Sequence, residues 1–268
     1  MATITTFQAG FCTHASCMAV RGTGFGTCEF PAQVFLIQAN GRHWLFDTGY
    51  AEHFLDATQS GVFALYRKVT PVFFDPKDAM LKQLQCLGLK AQDLSGIIVS
   101  HFHGDHIGGL KDFPNVPLIV HGAGWQKVRH LRSWAALKNG FVPNVMPKDA
   151  EQRMWFMEQG QKRHLPSELA PLQQAHVLPE SGEEVWLVNL PGHAAGHIGA
   201  LVLCDDGWHL LAADAAWHED NYRHWKLPAW ASFVIMDDVK AFKHTLQTLR
   251  QLDQNQQVRI HLSHQETS

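Results

Sequence analysis

The chain has 268 residues, of which 46% are hydrophobic and 18% are charged, an ordinary balance for a globular protein. Its formal net charge is −3 and it contains no long basic run, which disfavours a nucleic-acid partner. It also lacks an apolar run of about 20 residues and an N-terminal signal-peptide pattern. We therefore expect a single domain over residues 1–268, located in the cytoplasm and without a membrane partner.

The five cysteines are odd in number and form no Cys-x-x-Cys pair. This pattern favours reduced thiols over a disulfide framework or a cysteine-rich zinc site. It agrees with the expected cytoplasmic location.

The first predicted elements are a hairpin and a helix. Residues 34–39 and 43–46 are apolar runs on either side of Asn40-Gly41, which is the strongest short-range hairpin signal. The second run leads into Asp47. Residues 76–90 carry apolar positions at helical spacing.

A β-branched run at 96–101 is typical of a buried strand and ends at His101. Another strand is predicted at 117–121. The following region, about 122–176, is rich in tryptophan and broken by prolines, and we interpret it as a helical insertion. Its apolar helices would form a lid over a site, a contact in a homodimer, or both.

The last third of the chain returns to a strand-rich pattern with one long amphipathic helix. The predicted elements there are strands at 184–190 and 259–264, a hairpin at 199–214 and a helix at 237–252. The final strand ends in His264.

The main chemical signal is the segment His101-Phe102-His103-Gly104-Asp105-His106, directly after a predicted strand. A strand followed by a turn can direct these side chains into one pocket. Imidazole and carboxylate are ordinary ligands for Zn²⁺ and related divalent ions. The segment therefore predicts a metal site.

This segment resembles the signature of the metallo-β-lactamase superfamily, and further motifs of that family follow in order. Asp47 matches the first conserved aspartate, and Pro191-Gly192-His193 matches the third motif, with His197 trailing it. Asp214 and His264 match the fourth and fifth motifs. The resemblance covers about residues 34–268.

The resemblance implies an α/β fold, the αββα metallo-β-lactamase sandwich, with two central mixed β-sheets flanked by helices. It also implies two adjacent divalent metal ions. One would be bound by His101, His103 and His193, the other by Asp105, His106 and His264, with Asp214 bridging both. Asp47 is expected to orient a ligand, and His197 has either a similar role or a packing role.

Within that family the resemblance favours a hydrolase of the N-acyl homoserine lactonase-like branch. Flavodiiron proteins place a glutamate where this chain has His103, and true di-zinc β-lactamases usually have Cys or Ser at the position of Asp214. A glyoxalase II-like thioesterase is the main alternative, although its C-terminal extension is missing after His264. A phosphotriesterase, an iron-dependent redox enzyme and a non-catalytic metal-binding protein are further alternatives.

One departure from the lactonase pattern concerns the substrate side of the site. The lactonases have a tyrosine three residues after the bridging aspartate, where this chain has Trp217. Indole donates a hydrogen bond but cannot accept one. Tyr222 and Tyr50 are candidate substitutes for that phenol, and His14 is a candidate for the pocket wall.

The expected reaction is hydrolysis of a small-molecule ester, most of all a lactone. Paired metal ions generate a hydroxide nucleophile at neutral pH and polarise the bond under attack. Asp105 would act as general acid towards the leaving oxygen, and Asp214 would hold the two ions together. Zinc is the expected metal, and iron, manganese or cobalt suit the same ligands.

Overall fold

A computed structural model describes residues 1–265 of the chain. Its strands are β1 (Thr3–Ala15), β2 (Thr27–Ala39), β3 (Arg42–Phe46), β4 (Val72–Phe73), β5 (Leu94–Ile98), β6 (Leu118–Val120), β7 (Met154–Phe156), β8 (Lys162–His164), β9 (Gln174–Val177), β10 (Val185–Asn189), β11 (Ile198–Cys204), β12 (Gly207–Ala213) and β13 (Val258–Leu262).

The α-helices are mostly short, and several one-turn 3₁₀ segments lie between them. The helices are α1 (Glu52–Ala57), α2 (Ala64–Val69), α3 (Met80–Cys86), α4 (Gly104–Ile107), α5 (Gly122–Val128), α6 (Ser133–Lys138), α7 (Asp220–Arg223) and α8 (Val239–Asn255). None of the helices within residues 1–265 has the length and apolar character needed to cross a bilayer.

Two mixed sheets form the centre of the molecule. The first has the order β4-β1-β2-β3-β5-β6-β7, and the second has the order β13-β12-β11-β10-β9-β8. In the first sheet β3, β5, β6 and β7 run parallel, while β1, β2, β3 and β4 pair antiparallel. The second sheet is antiparallel except where β13 pairs parallel with β12. With helices on the outer faces, this is the expected αββα sandwich.

Strand β2 shows why the sheets are central. Successive side chains of a strand point to opposite faces. Phe35 and Ile37 belong to the apolar cluster between the two sheets, whereas Val34 and Leu36 belong to the cluster beneath the helices. Because both faces are buried here, residues 34–37 of the strand form a continuous apolar run and not an alternating one.

Helix α8 covers the outer face of the second sheet. Asp238 caps its N-terminus, since its carboxylate accepts hydrogen bonds from the backbone N–H groups of Lys240 and Ala241. Phe242 and Leu246 lie on its fully buried face. The helix continues to Asn255, three residues beyond the prediction.

The region 122–176 differs from the expected helical insertion. Only its first part is helical, in α5 and α6, while β7 extends the first sheet and β8 and β9 extend the second. These strands have three or four residues each, so they carry too little periodicity to be recognised in the sequence. The second half of the region is part of the sandwich itself.

Candidate metal centre

The chemistry-bearing side chains meet at one edge of the sandwich, just beyond the ends of strands. His101 and its neighbours follow β5, and His193 follows β10. Asp214 directly follows β12, and His264 comes two residues after β13. Four segments that are distant in sequence therefore converge there.

The segment after β5 folds into a single helical turn, α4, with His103 as its N-cap. The loop at Gly140 supports it, because the Gly140 carbonyl accepts a hydrogen bond from the Gly104 N–H at 3.0 Å. Gly140 has a φ of +61°, and a Cβ there would lie 2.5 Å from Cδ2 of His103. A glycine at this position thus leaves space for the His103 ring.

His101, His103 and His193 form the first donor group. One ring nitrogen from each lies within 4.8 Å of the others. Nε2 of His193 is 3.0 Å from Nδ1 of His103. His101 and His193 are 1% exposed, so these nitrogens face a closed space.

The second donor group contains Asp105, His106 and His264. Oδ2 of Asp105 is 3.5 Å from Nε2 of both histidines. Asp214 contacts both donor groups. Its Oδ1 is 3.3 Å from Nε2 of His106, while its Oδ2 is 3.1 Å from Nε2 of His264 and 3.3 Å from Nε2 of His193.

These separations suit metal coordination. With metal–nitrogen bonds of about 2.0–2.1 Å, adjacent ligands of a tetrahedral site lie about 3.3 Å apart. Nε2 of His101, Nε2 of His106 and Oδ1 of Asp214 are also buried without a hydrogen-bond partner among residues 1–265. Buried polar atoms are rarely left unpaired, and these three are free to bind a cation.

The electrostatics of the two groups differ. Burial lowers the pKa of His101 and His193 well below the usual value, so both imidazoles are neutral. Burial opposes protonation of His106 too, but the carboxylates of Asp105 and Asp214 outweigh it and hold the pKa of His106 well above its usual value. Burial would raise the pKa of Asp105, yet neighbouring histidines hold it at about 2. A divalent cation would replace the proton of His106.

Asp47 lies behind the second donor group and contacts it through His106. Its Oδ2 is 2.7 Å from Nδ1 of His106, and its two oxygens also accept hydrogen bonds from the N–H and hydroxyl of Ser100. The Ser100 hydroxyl lies 3.0 Å from Nδ1 of His101. Fixing the far nitrogen of a metal-binding imidazole is a common function of such carboxylates. Ser100 was not predicted, since a lone serine carries no motif.

His197 and Trp217 both contact Asp214. Nε2 of His197 accepts a hydrogen bond from the Asp214 backbone N–H at 3.2 Å. Burial lowers the pKa of His197 to about 3, which keeps it a neutral acceptor. The indole N–H of Trp217 donates to Oδ2 of Asp214 at 3.1 Å. Both residues therefore position the central carboxylate, and Trp217 reaches the site as well.

A cavity of about 410 Å³ opens onto the donor groups. His14 lines it, as expected, together with Trp217. Its apolar wall consists mainly of Met18, Phe30, Val69, Val234 and Ile235. The segment 122–176 contributes no side chain to this wall, contrary to expectation. That segment instead lines a neighbouring, more polar cavity of about 330 Å³, which shares His103 and His193 with the first.

The candidate tyrosines are placed differently from the prediction. Tyr50 and Tyr222 are each 1% exposed and do not line the cavity beside the donor groups. Tyr66, on α2, does line it. No motif surrounds Tyr66 in the sequence, so only the fold reveals its position.

Comparisons with known proteins agree with this geometry. A family profile described as the metallo-beta-lactamase superfamily matches residues 29–257. The chain belongs to the metallo-β-lactamase superfamily. It is a metal-dependent hydrolase of that superfamily, with lactonases among its relatives.

Two curated relatives in the superfamily match most of the chain. A probable metallo-hydrolase of Mycobacterium tuberculosis is 26% identical over 258 residues, covering 94% of this chain and 76% of the relative. An N-acyl homoserine lactonase of a Bacillus species is 27% identical over 223 residues, covering 81% of this chain and 77% of the relative.

Solved structures show the same superfamily fold. An N-acyl homoserine lactone hydrolase with N-hexanoyl-L-homoserine at its catalytic metal centre has a TM-score of 0.70 and 19% identity, covering 97% of this chain and 92% of the other. A dizinc quorum-quenching lactonase has a TM-score of 0.67 and 16% identity, covering 98% and 87%.

Proposed function

We propose that this protein hydrolyses an ester-type bond, first of all a lactone, at a centre of two divalent metal ions. The observation that carries the proposal is the position of Asp214 between the two donor groups: its Oδ2 lies 3.3 Å from Nε2 of His193 in the first group, and its two oxygens lie 3.1–3.3 Å from His264 and His106 in the second. A carboxylate in that position can hold two ions side by side. A single-ion site would need only one of the two groups.

In this proposal His101, His103 and His193 bind one ion, and Asp105, His106 and His264 bind the other. Asp214 bridges them. The mixture of imidazole and carboxylate suits Zn²⁺ best, and Fe²⁺, Mn²⁺ and Co²⁺ are compatible with it. The short contacts between donors of each group support this division.

When bound, a pair of such ions supplies a hydroxide nucleophile at neutral pH and polarises the carbonyl under attack. The protein contributes placement and proton transfer. Asp105 lines the cavity and is 11% exposed at its side chain, so its carboxylate can carry a proton to the leaving oxygen. Asp47 and Trp217 keep His106 and Asp214 in fixed orientations.

Two features favour a lactone over the thioester and phosphotriester alternatives. The wall of the cavity is apolar next to the donor groups, which suits an acyl chain beside the reacting carbonyl. The Bacillus relative, which aligns with 81% of this chain at 27% identity, is an N-acyl homoserine lactonase. Trp217 stands where such enzymes have a tyrosine.

The test is metal content per chain by mass spectrometry, on protein purified without added metal, followed by assays of lactones, thioesters and phosphotriesters. We expect two metal ions per chain and turnover of lactones. The variant His103→Ala should lose metal and activity together. His244→Ala, at an exposed position on α8, is the matched control and should retain both.

Two results would contradict the proposal. One iron per chain without any hydrolysis would indicate redox chemistry in place of hydrolysis. Full activity in a His103→Ala protein that has lost its metal would show that the reaction does not require the metal.

A further inference from the structure

The cavity beside the metal ligands contains one phenol. The chain has three tyrosines, and of these Tyr66 lines the cavity, together with Asp105 and Asp214. Tyr222 is buried on α7, where the charges that affect its pKa belong to Arg223, Asp253 and Glu219. Tyr222 does not line the cavity.

The Tyr66 side chain is held firmly. Its ring packs edge-on against Phe54 at a centroid distance of 5.2 Å, and Phe54 packs in the same way against Tyr50 at 4.9 Å. Phe54 is fully buried. Helix α2 thus presents a fixed ring to the cavity, and its hydroxyl has little freedom to move away.

Tyr66 lines the same cavity as Asp105 and Asp214, two of the candidate metal ligands. Burial, and then the carboxylate of Asp105, raise the pKa of Tyr66 well above its usual value. The phenol therefore stays protonated and can donate a hydrogen bond at any ordinary pH. The charge of Asp214 acts in the same direction.

Behind Tyr66 lies a second polar group. The Tyr50 hydroxyl is buried beside Tyr66 and the thiol of Cys12, and it makes no hydrogen bond of good geometry to any residue between 1 and 265. Burial of a hydroxyl that makes no hydrogen bond costs free energy, and such groups are rare. A hydroxyl at this position can accept a hydrogen bond from a neighbouring phenol or donate one to it.

We propose that Tyr66 is the substrate-binding phenol of this enzyme. It donates its hydrogen to an oxygen of the acyl substrate, where the apolar wall meets the metal ligands, and Tyr50 supports it from behind. This inference rests on the proposed hydrolysis of an ester-type bond. It assigns the substrate class as an acyl compound with an oxygen acceptor next to the scissile carbonyl and an apolar chain lying towards Val69.

The chain offers a matched set of variants. Tyr66→Phe removes the hydroxyl and keeps the ring against Phe54, whereas Tyr222→Phe removes a buried hydroxyl that does not line the cavity. We expect Tyr66→Phe to lower kcat/KM on a short-chain lactone about ten- to a hundredfold, as loss of a donor to the reacting group does. Metal content and melting temperature should match those of the parent, and Tyr222→Phe should retain full activity.

A binding experiment gives a second, independent result. The zinc-loaded proteins are titrated with the ring-opened N-hexanoyl-homoserine while the tyrosine difference absorption is recorded. The parent and Tyr222→Phe should show a change on binding. Tyr66→Phe should lose that change and bind more weakly.

The outcomes separate this inference from the proposed function. If the parent cleaves other esters but no lactone, the lactone assignment fails, while kcat/KM of Tyr66→Phe on those esters still decides the function of Tyr66. If the parent cleaves no ester, the titration decides it. Equal affinity of parent and Tyr66→Phe, or no binding by the parent, would overturn the inference, as would unchanged kcat/KM in the variant.

Discussion

At the scale of single residues, the candidate metal ligands contact groups that do not themselves line the cavity. Asp47 is fully buried and contacts both His106 and Ser100. Its backbone has a φ of +65°, a conformation that aspartate tolerates better than most residues. In this backbone conformation the carboxylate of Asp47 lies 2.7 Å from Nδ1 of His106.

We predict that Asp47→Asn lowers metal affinity about 10–100-fold, the usual effect of removing such an outer partner. The amide has the same shape but a donor in place of one oxygen, so it cannot accept all three hydrogen bonds from the Ser100 N–H, the Ser100 hydroxyl and Nδ1 of His106. Competition with a chromogenic chelator measures the change. Asp112→Asn is a suitable control, because Asp112 pairs with a half-exposed histidine away from the site. Equal affinity of Asp47→Asn and the parent would show that Asp47 serves only the turn.

Trp217 gives a second prediction at this scale. Its indole N–H holds Oδ2 of Asp214, the oxygen that also faces His193 and His264. Trp217→Phe keeps an aromatic ring in the cavity wall but loses the donor. We expect metal affinity to fall by about tenfold, measured by the same competition. Trp134→Phe, at a ring that is 62% exposed, should change nothing.

How far the sequence predicts such residues depends on whether they form a pattern. The five histidines and two aspartates stand in recognisable motifs, and the structure brings all seven together. Ser100 and Tyr66 are isolated residues without a motif, and the sequence was silent about both. Tyr222 was a candidate substitute for the missing tyrosine, but it is buried on α7 and does not line the cavity.

At the scale of elements, the conformation of one loop depends on a glycine, Gly140, which lies against the His103 ring. Gly140 has a left-handed φ, and its hydrogen-bonded loop passes directly over the His103 ring. Gly61 has almost the same φ, +64°, but a Cβ there would meet no atom within 4 Å. Alanine variants at these two positions therefore separate the cost of backbone strain from the effect of a Cβ on the His103 ring.

Both Gly140→Ala and Gly61→Ala should lose about 1–2 kcal/mol of unfolding free energy, because a left-handed conformation is unfavourable with a Cβ. Only Gly140→Ala should also displace His103 and lose metal and activity. Thermal unfolding and metal content, measured on both proteins, test this. If the two variants were equally active, the loop at Gly140 would be flexible enough to release the ring.

The predictability of the elements follows their length. Helix α8 has a sustained amphipathic pattern over 17 residues, and it was predicted to within three residues of its end. Strands β7, β8 and β9 have only three or four residues each. Their formation depends on pairing with neighbouring strands more than on their own sequence. Such tertiary pairing is invisible to local pattern analysis.

At the scale of the whole molecule, the order of strands in the two sheets could not be derived from periodicity. The family resemblance implied two mixed sheets flanked by helices, and the order of the strands is known only from the structure. The far end of the second sheet holds a different polar group that the resemblance did not mention. Near the β11–β12 turn, His209 stacks on His261 with ring centroids 5.1 Å apart. Nε2 of His209 is also hydrogen-bonded to the carboxylate of Asp206.

This second group makes the stability of the molecule depend on pH. Nδ1 of His209 lies 2.9 Å from Nε2 of His261. Burial, and then the proximity of His209, lower the pKa of His261 to about 4. In the unfolded chain a histidine has a pKa of about 6.5. Between these two values the unfolded state binds more protons than the folded state, so stability decreases as the pH falls from about 6.5 to 4.

We predict that His261→Gln makes this decrease shallower, by on the order of 2 kcal/mol between pH 7 and pH 4 after allowing for the partial exposure of the ring. Urea unfolding at several pH values, with parent and variant at the same zinc concentration, measures the difference in slope. The metal ligands titrate in both proteins, so their contribution cancels in the comparison. His244→Gln, at an exposed site, should follow the parent curve. Parallel curves for His261→Gln and the parent would mean that His261 protonates in the folded protein as easily as in the unfolded chain.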